Sequence, residues 1–348
     1  SIRSPRQHIT ICCAAAATYL LTAILLIKTS SLGDVVHNLP VVADLRAALG
    51  EVAVDWVVER AFAAVPALHP GVRDVIACDI RRWRSTWWSH ETRREWRAFV
   101  TQLRTRRYDA IIDTQGLFKS AVLARLALGR RYGFDWRSSR EPLRPFYDRV
   151  FRVPRDLHAV VRNRQLCALA LNYIPRAVLD YGLQLHAPRP AWLPEGRFVV
   201  FLHGTSHPSK LWPEDRWIAL GSAYAAAQCR AVLPWGNDAE RDRAQRLAAA
   251  LPGAVVPGRM SIEHIAEMLA AASAVVGVDT GLTHLAAALG RPVVGIYGVT
   301  SPDTTGVYAH GRAVNVGSRA GFPNVEAVLT ALAALNAAPE RLAAESPA

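Results

Sequence analysis

The chain has 348 residues, half of them apolar (51%) and a fifth charged (20%), which fits two ordinary folded domains and excludes disorder or a collagen-like repeat. Five cysteines (Cys12, Cys13, Cys78, Cys167, Cys229), odd in number and without a C-x-x-C spacing, exclude a disulfide framework and a thiolate zinc site and suit a reducing compartment. The net charge of +12 is uneven: residues 1–190 hold 29 basic and 16 acidic side chains, residues 191–348 hold 12 and 13, so one half is built to meet an anion.

Residues 9–27 carry no charge and suggest a membrane span, or a signal peptide with Arg3 and Arg6 ahead of it. The end of that run, however, reads as a short buried strand that stops at Lys28 and a Ser/Gly-rich turn. One segment cannot be both, so residues 1–22 are expected to be an extension outside the fold. From there strands at 24–28, 53–58, 75–79 and 108–113 alternate with helices at 35–49, 89–107 and 120–128. A Pro-rich stretch at 187–194 marks a domain boundary. The alternation then restarts, with strands at 198–203, 230–234, 274–278 and 293–297 and helices at 217–227, 238–251, 261–270 and 283–289. The pattern predicts two doubly wound α/β domains, 23–190 and 191–348, with a site in the cleft between their carboxyl strand ends.

Four segments carry chemistry. K-T-S-S-L-G-D at 28–34 ends the first strand and places Asp34 at a helix start, where it reads either as a plain cap or as a base facing the cleft. H-G-T-S-H-P-S-K at 203–210 sets small hydroxyls and Lys210 at a strand end, a pattern that can bind phosphate oxygens. V-D-T-G-L-T-H-L at 278–285 puts Thr280 and Gly281 at a helix N-terminus, whose free N–H groups attract a diphosphate, with Asp279 orienting the turn or His284. Residues 81–107 contain nine arginines interleaved with Trp83, Trp87, Trp88 and Trp96, and Arg81, Arg82 and Arg84 are expected in a loop gripping an anion. Only three lysines occur: Lys28 and Lys210 inside these segments, and Lys119 inside a further candidate motif at 108–120. The G-x-G-x-x-G fingerprint is absent, which disfavours a dinucleotide dehydrogenase.

In this order the motifs resemble the ADP-heptose glycosyltransferases, a family with the two-domain GT-B fold. The likeness runs from 24 to 316 and adds D-W-V-V-E at 55–59, I-R-R-W-R at 80–84, Y-D-A-I-I-D-T-Q-G-L-F-K-S at 108–120, D-W-R-S-S-R-E-P-L at 135–143 and P-W-G at 234–236. The resemblance implies that Asp34 is the general base, that Thr205, Ser206 and Lys210 meet the donor diphosphate, and that Thr280 and Gly281 add the helix N-terminus. It implies Glu240 on the ribose, Met260 near the adenine, and Asp279 and His284 completing the donor pocket. Arg81, Arg82, Arg84, Lys119 and Arg140 would hold the carboxylates and phosphates of a Kdo–lipid A acceptor at the cytoplasmic face of the inner membrane. Thr205-Ser206 stands where the family has Thr-Thr, which keeps the hydroxyl, and Ser85 stands where a further basic residue occurs.

The chemistry implied is an inverting displacement on ADP-L-glycero-β-D-manno-heptose. ADP leaves without a general acid once its charge is stabilised, and one carboxylate base serves the opposite face. No D-x-D motif is placed to chelate a metal with the diphosphate, so neither metal nor cofactor is expected. The rival expectations are another nucleotide-sugar enzyme on this architecture, a second heptosyltransferase or an epimerase, and a basic nucleic-acid-binding protein.

Overall fold

The computed structural model describes residues 21–185, 189–309 and 311–344, with the side chains of the last helix described as far as 335. Most of the expected N-terminal extension lies outside the described residues, as does part of the Pro-rich boundary. Residue 22 does not: the Thr22 backbone N–H and hydroxyl donate to Asp109 at 2.7 and 3.0 Å, so the fold starts before 23.

The first domain is built from β1 (Ala23–Ile27), α1 (Leu32–Val36), α2 (Leu39–Leu49), β2 (Ala53–Glu59), α3 (Ala64–Ala67), β3 (Val72–Cys78) and α4 (Ile80–Ser85). It continues through α5 (His90–Leu103), β4 (Arg107–Asp113), α6 (Phe118–Leu126), β5 (Leu128–Phe134), β6 (Arg149–Phe151) and α7 (Ala159–Leu171). The second comprises β7 (Phe198–Leu202), α8 (Glu214–Ala226), β8 (Arg230–Val232), α9 (Asp238–Ala250), α10 (Ile262–Ala271) and β9 (Ala274–Val278), and then α11 (Gly281–Ala288), β10 (Val293–Tyr297), α12 (Pro302–Thr305), β11 (Ala313–Gly317) and α13 (Val325–Ala344).

The strand orders are β3-β2-β1-β4-β5-β6 and β11-β10-β9-β7-β8. Every strand pair in both sheets is parallel. These are the Rossmann and the flavodoxin-like orders, each with one topological switch point: between β1 and β4 in the first sheet, between β7 and β9 in the second. The central strands β1 (AILLI) and β7 (FVVFL) are buried along their whole length, as a strand covered on both faces must be. Alternate residues feed different cores: Leu25 and Ile27 pack with Trp83 and Phe99, whereas Ile24 and Leu26 join an apolar cluster that continues through Phe198 and Val200 of the second sheet. A third cluster joins Val199 and Phe201 to Val328 and Leu332 of α13. The two domains therefore share a core along their seam.

Several boundaries differ from the sequence expectation. The helix expected at 35–49 breaks into α1 and α2, because Pro40 sits in the first turn of α2 and cannot continue the helix before it. The helix expected at 120–128 stops at Leu126, and Ala127 turns directly into β5. Arg81, Arg82 and Arg84 are not in a loop but on α4, which Trp83 anchors by burying its ring against Trp96 and Phe99.

Candidate active site

Both switch points open on the same cleft. In the first, β1 ends at Ile27 and the chain runs through Lys28, Ser30 and Ser31 into α1. The Asp34 carboxylate Oδ2 accepts hydrogen bonds from the Ser31 backbone N–H (2.8 Å) and hydroxyl (3.2 Å), so Asp34 does cap the helix start. Its second oxygen has no hydrogen bond to a described residue, and Asp34 lines a cavity of about 180 Å³. Lys28, Gln115, Arg140, Arg155, Arg162 and Asn163 line the same cavity, with Thr304 and Thr305 contributed by the second domain. Lys28 is nearly enclosed, donating to the Thr114 carbonyl at 2.9 Å and Asn163 Oδ1 at 3.5 Å. Burial lowers its pKa, while the Asp34 and Asp113 carboxylates act in the opposite sense. The cavity is thus a cationic cup around one carboxylate.

Of the expected acceptor residues, only Arg140 reaches this cup. Lys119 flanks it, donating to Ser30 Oγ at 2.7 Å. Arg84 and Lys119 line a separate groove of about 800 Å³ with Trp83, Trp87, Trp96 and Phe118. Arg82 is already held by Asp79 (3.2 Å) and by Glu95. Lys28, Arg155, Arg162 and Asn163 were not among the candidates. Arg162 lies on α7, an element that the sequence analysis did not place.

In the second switch point, β7 ends in the loop that carries Thr205, Ser206 and, on a single 3-10 turn at Pro208–Lys210, Lys210. Lys210 Nζ meets Asp279 Oδ2 at 2.6 Å, and Thr300 Oγ1 donates to the same oxygen at 2.9 Å. Burial pushes the Asp279 carboxyl up, but contacts with His284 and Lys210, together with the Lys210 charge, hold it well below the usual range. Thr205 Oγ1 donates to the Asp279 carbonyl at 3.3 Å, drawing the β7 and β9 turns together. Lys210 therefore sits where expected, but paired with Asp279. Ser206 is exposed at the loop tip.

Beside it lies a half-apolar pocket of about 270 Å³ lined by Leu202, Trp235, Glu240, Met260, Thr280 and Leu282, among others. Glu240 accepts from the Gly236 N–H at 2.8 Å. A side chain at Gly204 would collide with it, the nearest approach of an added Cβ being 2.6 Å from Glu240 Cδ. Gly281, expected as a diphosphate donor, has a second duty: an added Cβ would lie 2.6 Å from Leu32 Cβ of α1. His284 lies under this contact and faces Asp279 Oδ1 at 3.9 Å. Among the described residues, no group of three His, Cys, Asp or Glu side chains is placed to hold a metal ion, and no helix is long and apolar enough to cross a membrane.

Two doubly wound domains, with a carboxylate on one side of the cleft and a lysine, hydroxyls and a helix N-terminus on the other, define a glycosyltransferase of the GT-B class. Residues 96–330 match glycosyltransferase family 9 (heptosyltransferase). The chain is 43% identical over 317 residues to lipopolysaccharide heptosyltransferase 1 of Escherichia coli strain K12, spanning 90% of this chain and 99% of the relative. It is 47% identical over 299 residues to the Pseudomonas aeruginosa protein of that name, spanning 85% and 83%. Among solved structures, E. coli heptosyltransferase WaaC with ADP superposes with a TM-score of 0.84 at 40% identity over 90% of this chain and 100% of that one. E. coli ADP-heptose heptosyltransferase II shares the fold, with a TM-score of 0.74 at 23% identity over 92% of this chain and 100% of that one. This chain belongs to glycosyltransferase family 9, the heptosyltransferases.

Proposed function

We propose that the protein transfers L-glycero-D-manno-heptose from ADP-heptose to the Kdo of Kdo–lipid A, with inversion, in synthesis of the lipopolysaccharide inner core. The observation that carries this reading is the opposition of the Asp34 cup to the Lys210–Asp279 turn across one cleft. A solved relative is the E. coli enzyme with ADP-2-deoxy-2-fluoro heptose, TM-score 0.77 at 42% identity over 85% of this chain and 93% of that one, which supports a nucleotide-sugar donor here.

In this reading the adenosine occupies the Glu240–Met260 pocket and the diphosphate lies against Thr205, Ser206, Lys210 and the start of α11. These groups stabilise charge that grows on ADP as the sugar–oxygen bond breaks. The free oxygen of Asp34 takes the proton from the acceptor hydroxyl, and Lys28, Arg140, Arg155 and Arg162 hold the sugar acid's carboxylate. Lys119, Arg84 and Arg81 meet phosphates further out. Trp87, Trp88 and Phe118 are 51%, 74% and 59% exposed beside these cations, which suits peripheral contact with the anionic cytoplasmic face of the inner membrane.

ADP release should require both ADP-heptose and Kdo–lipid A, and should vanish when either is omitted. Turnover with another nucleotide sugar in place of ADP-heptose, or release independent of the acceptor, would defeat the reading.

A further inference from the structure

Three histidines are buried together at the seam between the domains: His37 at the end of α1, His158 at the start of α7 and His284 on α11 (2%, 8% and 6% exposed). His37 Nε2 lies 3.2 Å from His284 Nδ1 with the rings edge-on, and this bond crosses from the helix of Asp34 to the helix of the donor site. Nothing in the mechanism above uses His37.

The protons can be placed from the surroundings. His158 Nε2 faces the Gly306 carbonyl at 3.0 Å and its Nδ1 accepts from the Val160 N–H, so Nε2 carries the hydrogen. His284 Nε2 faces the Asp279 carboxylate, where a lone pair would be repelled and an N–H is attracted. His284 Nδ1 is then an acceptor and His37 Nε2 the donor. Burial, with the neighbouring His284, His158 and Lys28, lowers the His37 pKa well below the ordinary value and keeps the ring neutral.

We infer that His37 is a positioning residue for the donor site: from the acceptor domain it fixes the tautomer of His284, and through it the Asp279–Lys210 pair that receives the diphosphate. The inference rests on the donor-site reading given above. It makes donor grip depend on where the helix of the base sits.

Two variants of similar volume isolate the hydrogen bond. His37→Gln keeps an N–H that can reach His284 Nδ1, whereas His37→Leu keeps only the packing. With thermal stability recorded for both, ADP affinity measured by calorimetry should fall about 10-fold in the Leu variant and stay within about 3-fold of wild type in the Gln variant. The KM for ADP-heptose should follow ADP affinity, while the acceptor KM stays put. Equal ADP affinities in the two variants, or equal losses for donor and acceptor, would overturn the proposal with the donor-site reading intact. A wild-type protein that binds no ADP would end both. Should the Leu variant fail to fold, nitrogen-15 spectra of the wild type decide: His284 protonated on Nδ1 would sink the idea, and on Nε2 would support it.

Discussion

The two halves of the molecule share a plan and differ in how they treat charge. In the first domain, the cations around the switch point outnumber its carboxylates: Arg140 and Arg155 line the cavity and have no hydrogen bond or ion pair with a described residue. In the second, the sole lysine of residues 191–348 is paired with Asp279, and hydroxyls and backbone N–H groups are the others proposed to meet the diphosphate. Unmatched arginines suit an acceptor bearing several negative groups in varied positions. A preformed lysine–aspartate pair suits one diphosphate in one place, since its geometry is set beforehand. The split in net charge along the sequence is this same difference seen from afar.

The sharpest way to break the comparison is at Asp34. Asp34→Asn keeps an oxygen for the Ser31 N–H but cannot take a proton. Turnover should fall by about 10²–10⁴ with ADP affinity and thermal stability close to wild type. A stable variant retaining more than about a tenth of the activity would leave Asp34 as a helix cap alone. On the other side, Lys210→Ala should lower kcat by about 10²–10³ and weaken ADP binding, because it removes charge from the leaving group and strands Asp279. If only the acceptor KM moved, the division between domains would be wrong.

Acid tests the seam and the second domain together. Burial drives His158 and His203 down to about 4, the Gly306 carbonyl opposing this at His158 and Glu214 opposing it at His203. Both stay neutral when folded and take up protons near pH 6.5 when unfolded. Between about pH 6.5 and 4 the unfolded state binds more protons, so stability falls as pH falls through that window, by at most about 3 kcal/mol per histidine. Melting temperatures across that range should show the loss, and His158→Gln should flatten part of it.

The smaller effects separate free from occupied arginines. Arg140→Ala should raise the acceptor KM about 10-fold and leave the ADP-heptose KM unchanged. Arg82→Ala should change the acceptor KM by less than about 3-fold, since Asp79 and Glu95 already hold its guanidinium. Initial rates with each substrate varied in turn measure both, and a larger effect at Arg82 would mean those pairs open when the acceptor docks.

Much of this was legible beforehand. The buried strand at 24–28, the hydroxyl–lysine loop and the D-T-G turn before α11 are local patterns, because a parallel strand and a helix start are specified by neighbours in sequence. The pairing of Lys210 with Asp279 spans 69 positions, and no local pattern discloses it. The same holds for Arg155 and Arg162, which reach the Asp34 cup only because β5 and β6 extend the first sheet beyond β4. The loop expected around Arg81–Arg84 fell to tertiary context: Trp83 buries its ring and donates to Glu95 at 2.8 Å, which winds the segment into α4.

One contact holds the two domains close at the cleft. Where α1 meets α11, Gly33 and Gly281 bring backbone against backbone, with room for an added carbon only 3.1 Å from His284 at one and 2.6 Å from Leu32 at the other. On the proposed mechanism, a methyl at Gly281 would act as a shim of about 1 Å between Asp34 and the diphosphate, a misplacement of the size that costs on the order of 10²-fold in rate. The reach of the reaction is thus gauged by two missing side chains, one from each domain, and neither domain can be retuned at that point without resetting the other.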